Sequence, residues 1–471
     1  MTGALLALLA YVAAQLLLGV LVSRRIKTED DYLVAGRSLG PVMATSSIFA
    51  TWFGAESCVG AAGQVFEHGL SAVSADPFGY GLCLLLFGAL FASPLWARKL
   101  TTLADLFRER YSPGVERLVA LMLIPGSLLW ASAQIRAFGH VLAATGHLAE
   151  PIGIALAAVL AVTYTSFGGL LADAYADLIQ GGVLITCLLI LLVAVVLGTG
   201  GVTATWTAVT SVGPNALEAP RHDLLASLND WAIPILGSLF AQELVARTSA
   251  SRSRQVAQRS VLLAAVVYLL VGSIPVVLGA IAHTTLPGAD PEQVLATLAQ
   301  KHLPSFGYLI FAGALVSAIL STVDSALLVC GSLVSHNLAG LAMRDASEDQ
   351  KVLLARVSVV AFSGVAYLVA RSAESVHGLV QEASAFGSAG VCVAGTLGLF
   401  SRRGGALSAY GALVAGTVAW LYAAYVAELD TSFLCSLAAA FAAYVVCSLF
   451  EGDARLAADD VRRLSADRGP R

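Results

Sequence analysis

Four hydroxyls and one carboxylate crowd a short apolar stretch: Ser317, Ser321, Thr322 and Ser325, with Asp324 among them. The stretch lies in an apolar run from about Pro304 to Leu338, long enough to cross a bilayer. Hydrocarbon offers no water to satisfy these groups, so they must face a protein interior or a hydrated cavity. Residues 317, 321, 324 and 325 share one helix face, at spacings of four, three and one. Oxygen ligands on one face with a single carboxylate suit a hard cation. The same pattern suits a polar seam that hydrogen-bonds a neighbouring helix. An earlier apolar run carries Glu56 together with Gly54, Gly60 and Gly63. A helix can loosen there and free its carbonyls, as ion and solute carriers require, or can use the glycines for close packing.

The elements that carry these residues follow from composition. Of 471 residues 58% are hydrophobic and only 12% charged, with a mean hydropathy of +0.80. That is a polytopic membrane protein, built into a lipid bilayer. A net charge of -4 gives nucleic acid no electrostatic footprint. Cys58, Cys83, Cys187, Cys330, Cys392, Cys435 and Cys447 all fall in apolar runs without paired spacing, so they read as small buried residues. Thirteen spans are expected: 3–23, 42–66, 72–95, 116–146, 152–170, 176–198, 228–247, 258–284, 303–337, 352–371, 376–400, 404–426 and 431–450. In the first, basic residues follow the apolar run and none precedes it, which excludes a signal peptide and places Met1 outside. With that orientation all 27 Lys and Arg except Arg136, Arg221, Lys301 and Arg371 fall in cytoplasmic segments, and the charged tail 451–471 is cytoplasmic.

Pro234 and Gly237 interrupt the seventh span as the glycines interrupt the second. Two interruptions five spans apart predict a five-plus-five inverted repeat, about 42–198 and 228–400, with 3–23, 404–426 and 431–450 peripheral and 1–450 a single transporter domain. Gly168-Gly169 fits a tight turn between the fifth and sixth spans. Asp173 suits the start of the sixth helix, and Asp177 lies one turn deeper, where it serves either helix-start electrostatics or a site.

At these residues the sequence resembles the sodium/solute symporter family, the carriers that include proline, galactose, pantothenate and sialic acid symporters. The resemblance spans nearly the whole chain. It rests on the entry Asp31 to Gly40, "TLADLFRERY" at 102–111, "YTSFGGLLADAYADLIQ" at 164–180 and "AILSTVDS" at 318–325. It implies a leucine-transporter-type helical core and a sodium site between the second and ninth spans. Backbone carbonyls of Ala50, Phe53 and Ala318 and hydroxyls of Ser321 and Thr322 would bind the ion. A second sodium position, found in some members, would use Asp177, Asp324 and Ser325. It also implies a bacterial inner-membrane protein that is no enzyme, whose partners are sodium and a small solute. Two departures stand out: Ala176 lacks the hydroxyl that the family often places beside the aspartate, and Ser57 replaces a sugar-contacting Gln of galactose carriers.

Candidate solute contacts at mid-depth are Trp52, Glu56, Ser57, Phe78, Gln134, Arg136, Phe240, Gln242, Gln381 and Glu382. Arg136 reads as the one basic residue deep within a span, and a guanidinium suits a carboxylate. Glu56 and Arg136 together would complement a zwitterion, which favours an amino acid or other carboxylate; Arg136 paired to a protein carboxylate is the plainer reading. The competing functions are a sodium/sugar symporter, which Ser57 weakens, and a proton-coupled carrier titrating Glu56, Asp177 or Asp324. No nucleophile–His set or metal spacing marks an enzyme, no output module marks a sensor, and no obligate protein partner is evident.

Overall fold

The computed structural model describes residues 28–72, 74–146, 148–212, 224–339, 343 and 346–451, with Leu6, Ala10, Val12, Ala13 and Leu17. The first expected span and the tail therefore lie almost wholly outside the described residues. The described residues form helices and no named strand. Among the described residues nine helices are long and apolar enough to cross a membrane, ten if the bent pair Val376–Ala385 and Ser388–Phe400 is one span. The second expected span is not among them, because it is split, and neither is the fifth, Glu150–Thr165, which is short.

Each discontinuity has a chemical cause. The helix Pro41–Trp52 stops at Phe53 (ψ 65°), and the chain restarts as a widened turn Glu56–Gly60 and a helix Ala61–His68. Gly54 sits in that gap. A Cβ on it would lie 2.8 Å from Thr322 Oγ1, 2.7 Å from Gln134 Oε1 and 2.9 Å from Glu56 Oε2, so only glycine lets the ninth and fourth spans approach so closely. The seventh span runs Leu224–Ala232 and Ile233–Gly237, breaks over Ser238–Ala241 and resumes as Gln242–Ala250. Pro234 lacks the amide that would hold the preceding turn. Gly169 (φ 62°) turns the chain between the fifth and sixth spans, where the glycine pair was read as a turn.

The ninth span, Ser305–Leu338, is the core about which the others pack. It has 72% of its most apolar window buried, more than any other span, and it contacts the fourth, the sixth and the tenth. That burial explains how its hydroxyls are tolerated. Ser317 donates to the Gly313 carbonyl at 2.9 Å and Ser325 to the Ser321 carbonyl at 2.8 Å.

The entry segment and the stretch 102–111 act as fastenings. Leu39, in the entry segment, pairs with the end of the seventh span through Leu39 N–H to Ala250 O (3.0 Å) and Arg252 N–H to Leu39 O (2.9 Å). Thr102 and Asp105 cap the helix Leu103–Arg110 reciprocally. Asn337, at the end of the ninth span, accepts from Thr102 Oγ1 (2.8 Å) and donates to Asp105 (3.0 Å) and Glu116 (2.9 Å). Burial alone would raise the Asp105 carboxyl, but hydrogen bonds and charge from His336 and the amides of Thr102 and Thr101 hold it below the usual carboxylate range.

Candidate functional site

The broken second span meets the ninth span at Thr322. Thr322 Oγ1 lies 3.4 Å from the Ala50 carbonyl, 3.3 Å from that of Thr51 and 3.2 Å from that of its own Ala318. These oxygens come together because the helix stops at Trp52 and its last carbonyls lose their partners. Phe53 is the first residue of the gap. Ser321 donates to Asp177 Oδ1, and Ser47 donates to Asp177 Oδ2 at 2.6 Å. Asp177 thus orients the Ser321 hydroxyl from behind. All five residues read as sodium ligands are buried at this junction, and Asp177 supports them from the sixth span.

Past the gap, Gln134 on the fourth span completes what the break leaves open. Its Oε1 accepts the Ala55 amide at 2.8 Å, and its Nε2 donates to Glu56 Oε2. Glu56 is 2% exposed, with the Trp130 indole against its carboxylate. Ser57 donates to Asp76 at 3.0 Å and lies 2.7 Å from the Tyr268 hydroxyl, which also donates to Asp76. Trp52 stands edge-to-face against Tyr80 (5.7 Å) and against Trp130 (5.9 Å). The indole nitrogen of Trp52 is buried without a hydrogen-bond partner among the described residues. Trp130 borders a cavity of about 50 Å³ that Phe240, Gln242, Ser238 and Ser384 also line. Tyr80 reaches the same place through its hydroxyl, 2.9 Å from Ser384 Oγ.

The residues read as solute contacts therefore divide. Trp52, Glu56, Ser57 and Gln134 come together at the first break, and Phe240 and Gln242 at the second. Gln242 spends its side-chain oxygen on the Leu103 amide. Phe78 is 37% exposed, and its neighbour Asp76 points inward instead. Glu382 is exposed and accepts from the Tyr425 hydroxyl, while half-buried Gln381 is off the cavity that Ser384 of the same helix lines.

Arg136 needs a correction. Its guanidinium faces Glu150 (3.5 Å) and Glu292 (3.7 Å) and donates to the Glu374 carbonyl. It belongs to a cluster toward the C-terminal end of the fourth span, and Glu56 is paired with Gln134 instead. The zwitterion pocket between Glu56 and Arg136 does not form. Nor is Arg136 the one deep basic residue. Arg247, which the charge count assigns to a loop, is 1% exposed and bonds Asp173, Ser325 and Ser47.

The comparisons with known proteins fit this geometry. The profile of the sodium:solute symporter family matches residues 32–419. The chain belongs to that family. It is 28% identical over 366 residues to the high-affinity choline transporter 1 of Torpedo marmorata, covering 74% of this chain and 63% of the relative's length. It is 28% identical over 413 residues to the sodium/proline symporter of Escherichia coli, covering 82% and 81%. A Na+-coupled sialic acid symporter shares the fold, with a TM-score of 0.83 at 18% identity over 96% of this chain and 99% of that one. This symporter-family chain is thus an all-helical membrane protein with the architecture of secondary carriers.

Proposed function

We propose that this family member is a sodium-coupled symporter that imports a small organic cation by alternating access. The sodium position is the junction of the broken second span with the ninth, with carbonyls of Ala50, Phe53 and Ala318 and hydroxyls of Ser321 and Thr322 as ligands. The fit of the donor set supports it: neutral oxygens converge where a helix end has freed its carbonyls, and Asp177 supplies charge through Ser321. Thr322 Oγ1 lies 3.4 Å from the Ala50 carbonyl and 3.2 Å from that of Ala318, so its one proton is shared between them. Sodium would replace those hydrogen bonds and favour whichever state presents all five oxygens. That is a shift of population limited by its differential affinity for the two states.

The observation that carries the solute class is the aromatic corner of Trp52, Tyr80 and Trp130 beside the buried carboxylate of Glu56. Aromatic faces and a buried carboxylate recognise an onium group. The choline transporters among the relatives point the same way. An anionic solute finds no free guanidinium at this site, because Arg136 and Arg247 are both bound to carboxylates. Trp52 lies between the sodium ligands Ala50 and Phe53, so ion and solute would act on one turn of helix. The proline symporters match more of their own length and sustain a second reading, with proline's ammonium in the same corner.

Labelled choline and labelled proline, offered separately to proteoliposomes of the purified protein under an inward sodium gradient, test both. Sodium-dependent choline accumulation supports the first reading and proline accumulation the second. The orientation proposed with this reading puts Met1 outside and the tail 451–471 inside, on the distribution of Lys and Arg.

A further inference from the structure

One turn along the ninth span from Thr322, a fully buried guanidinium sits among three carboxylates. Arg247 donates through Nη2 to Asp173 Oδ2 and to Ser325 Oγ, and through Nε to Ser47 Oγ at 3.1 Å. Ser47 passes the contact on to Asp177 Oδ2 at 2.6 Å, and Arg247 Nη2 itself is 4.0 Å from that oxygen. Asp324 completes the layer, buried beside Asp173 and Thr165. Asp173, Asp177, Asp324, Arg247 and Ser325 are each at most 1% exposed.

The residues that would hold a second sodium ion are Asp177, Asp324 and Ser325. Two of them are already engaged, directly or through one hydroxyl, by a permanent cation. A guanidinium cannot lose its proton in a protein, and one this deeply buried cannot swing to water. A sodium ion between Ser325 and Asp177 would sit against that fixed positive charge in a weakly screening interior. We propose that Arg247 fills the second cation position as a tethered cation, drawn there by Asp173, so that the chain binds one sodium ion and not two. Asp173 is the residue that makes this possible. It lies one turn before Asp177 on the sixth span and pairs directly with the guanidinium nitrogen that approaches Asp177. The inference rests on the sodium reading above.

Equilibrium binding of ²²Na+ to the purified full-length protein, with no solute present, tests it. One ion per chain without cooperativity is expected for the native protein. In Asp173→Asn combined with Arg247→Gln, which removes the pair and leaves Asp177, Asp324 and Ser325, two ions are expected. Two ions on the native chain would overturn the inference alone, and so would a double variant that still binds one. No sodium binding at all would overturn the proposed function with it. Should the double variant fail to fold, the native stoichiometry decides.

Discussion

Gly54 and Thr322 are the two residues on which the junction turns. A methyl group at 54 would collide with Thr322 Oγ1, Gln134 Oε1 and Glu56 Oε2, all on side chains fixed by their own bonds. Gly54→Ala is expected to cut sodium-dependent uptake at least tenfold, about 1.4 kcal/mol of lost stabilisation. Thermal unfolding of the purified variant in detergent, followed with and without sodium, should show the sodium-induced rise in Tm shrink. On the solute side, Trp130→Ala removes one ring from the corner. A cation–π contact of about 1–2 kcal/mol predicts a KM for choline raised roughly ten-fold, with the sodium dependence unchanged. An unchanged KM would remove the aromatic corner from the account. Arg136→Ala, by contrast, should leave the affinity for solute intact, since its partners are Glu150, Glu292 and the Glu374 carbonyl.

Between elements, the C-terminal end of the fourth span is tied to the short helix Pro291–Gln293 and to the start of the eleventh span. Glu292 accepts from the Val376 amide (2.9 Å) and lies 3.0 Å from His140 Nε2 and 3.7 Å from Arg136. Burial opposes its ionisation, but His140, the Val376 amide and Arg136 outweigh that and hold its carboxyl below the ordinary Glu range. A carboxyl depressed in the folded state stabilises above its unfolded value, about 4.3, and loses that contribution as pH falls through its folded value. Glu292→Gln should therefore lower stability at neutral pH, by about 1.5 kcal/mol for the charged hydrogen bonds. The gap in Tm between variant and native protein should close on acidification below pH ~4. A gap that persisted or widened in acid would show that the tie is not ionic.

Across the whole molecule, what periodicity and composition govern was legible in the sequence. Hydropathy gave the long helices, and Gly54 and Pro234–Gly237 marked the two interruptions. The hydroxyl-bearing face of the ninth span was legible because such groups are intolerable against lipid. Pairings between distant segments were not. Asp76, Tyr80 and Trp130 join Trp52 and Glu56 only after the third and fourth spans pack on the break, and nothing local to those residues announces it. Arg247 was misread because a charge at the end of an apolar run looks like a loop residue. The helix in fact continues to Ala250 inside the protein, and the partner that draws the guanidinium inward, Asp173, comes from the sixth span. For Arg136 the plainer expectation, a protein carboxylate as partner, matches the structure, but nothing local to the helix names Glu292, which reaches it from the short helix Pro291–Gln293.

The most direct test of ion-driven transport is choline and proline uptake into proteoliposomes of native protein and of Ser321→Ala combined with Thr322→Ala, under a sodium gradient and under a pH gradient alone. The account predicts accumulation of at least one of the two solutes by the native protein only with sodium outside, and its loss in the double variant. Uptake that follows the pH gradient without sodium, or that survives removal of both hydroxyls, would contradict it.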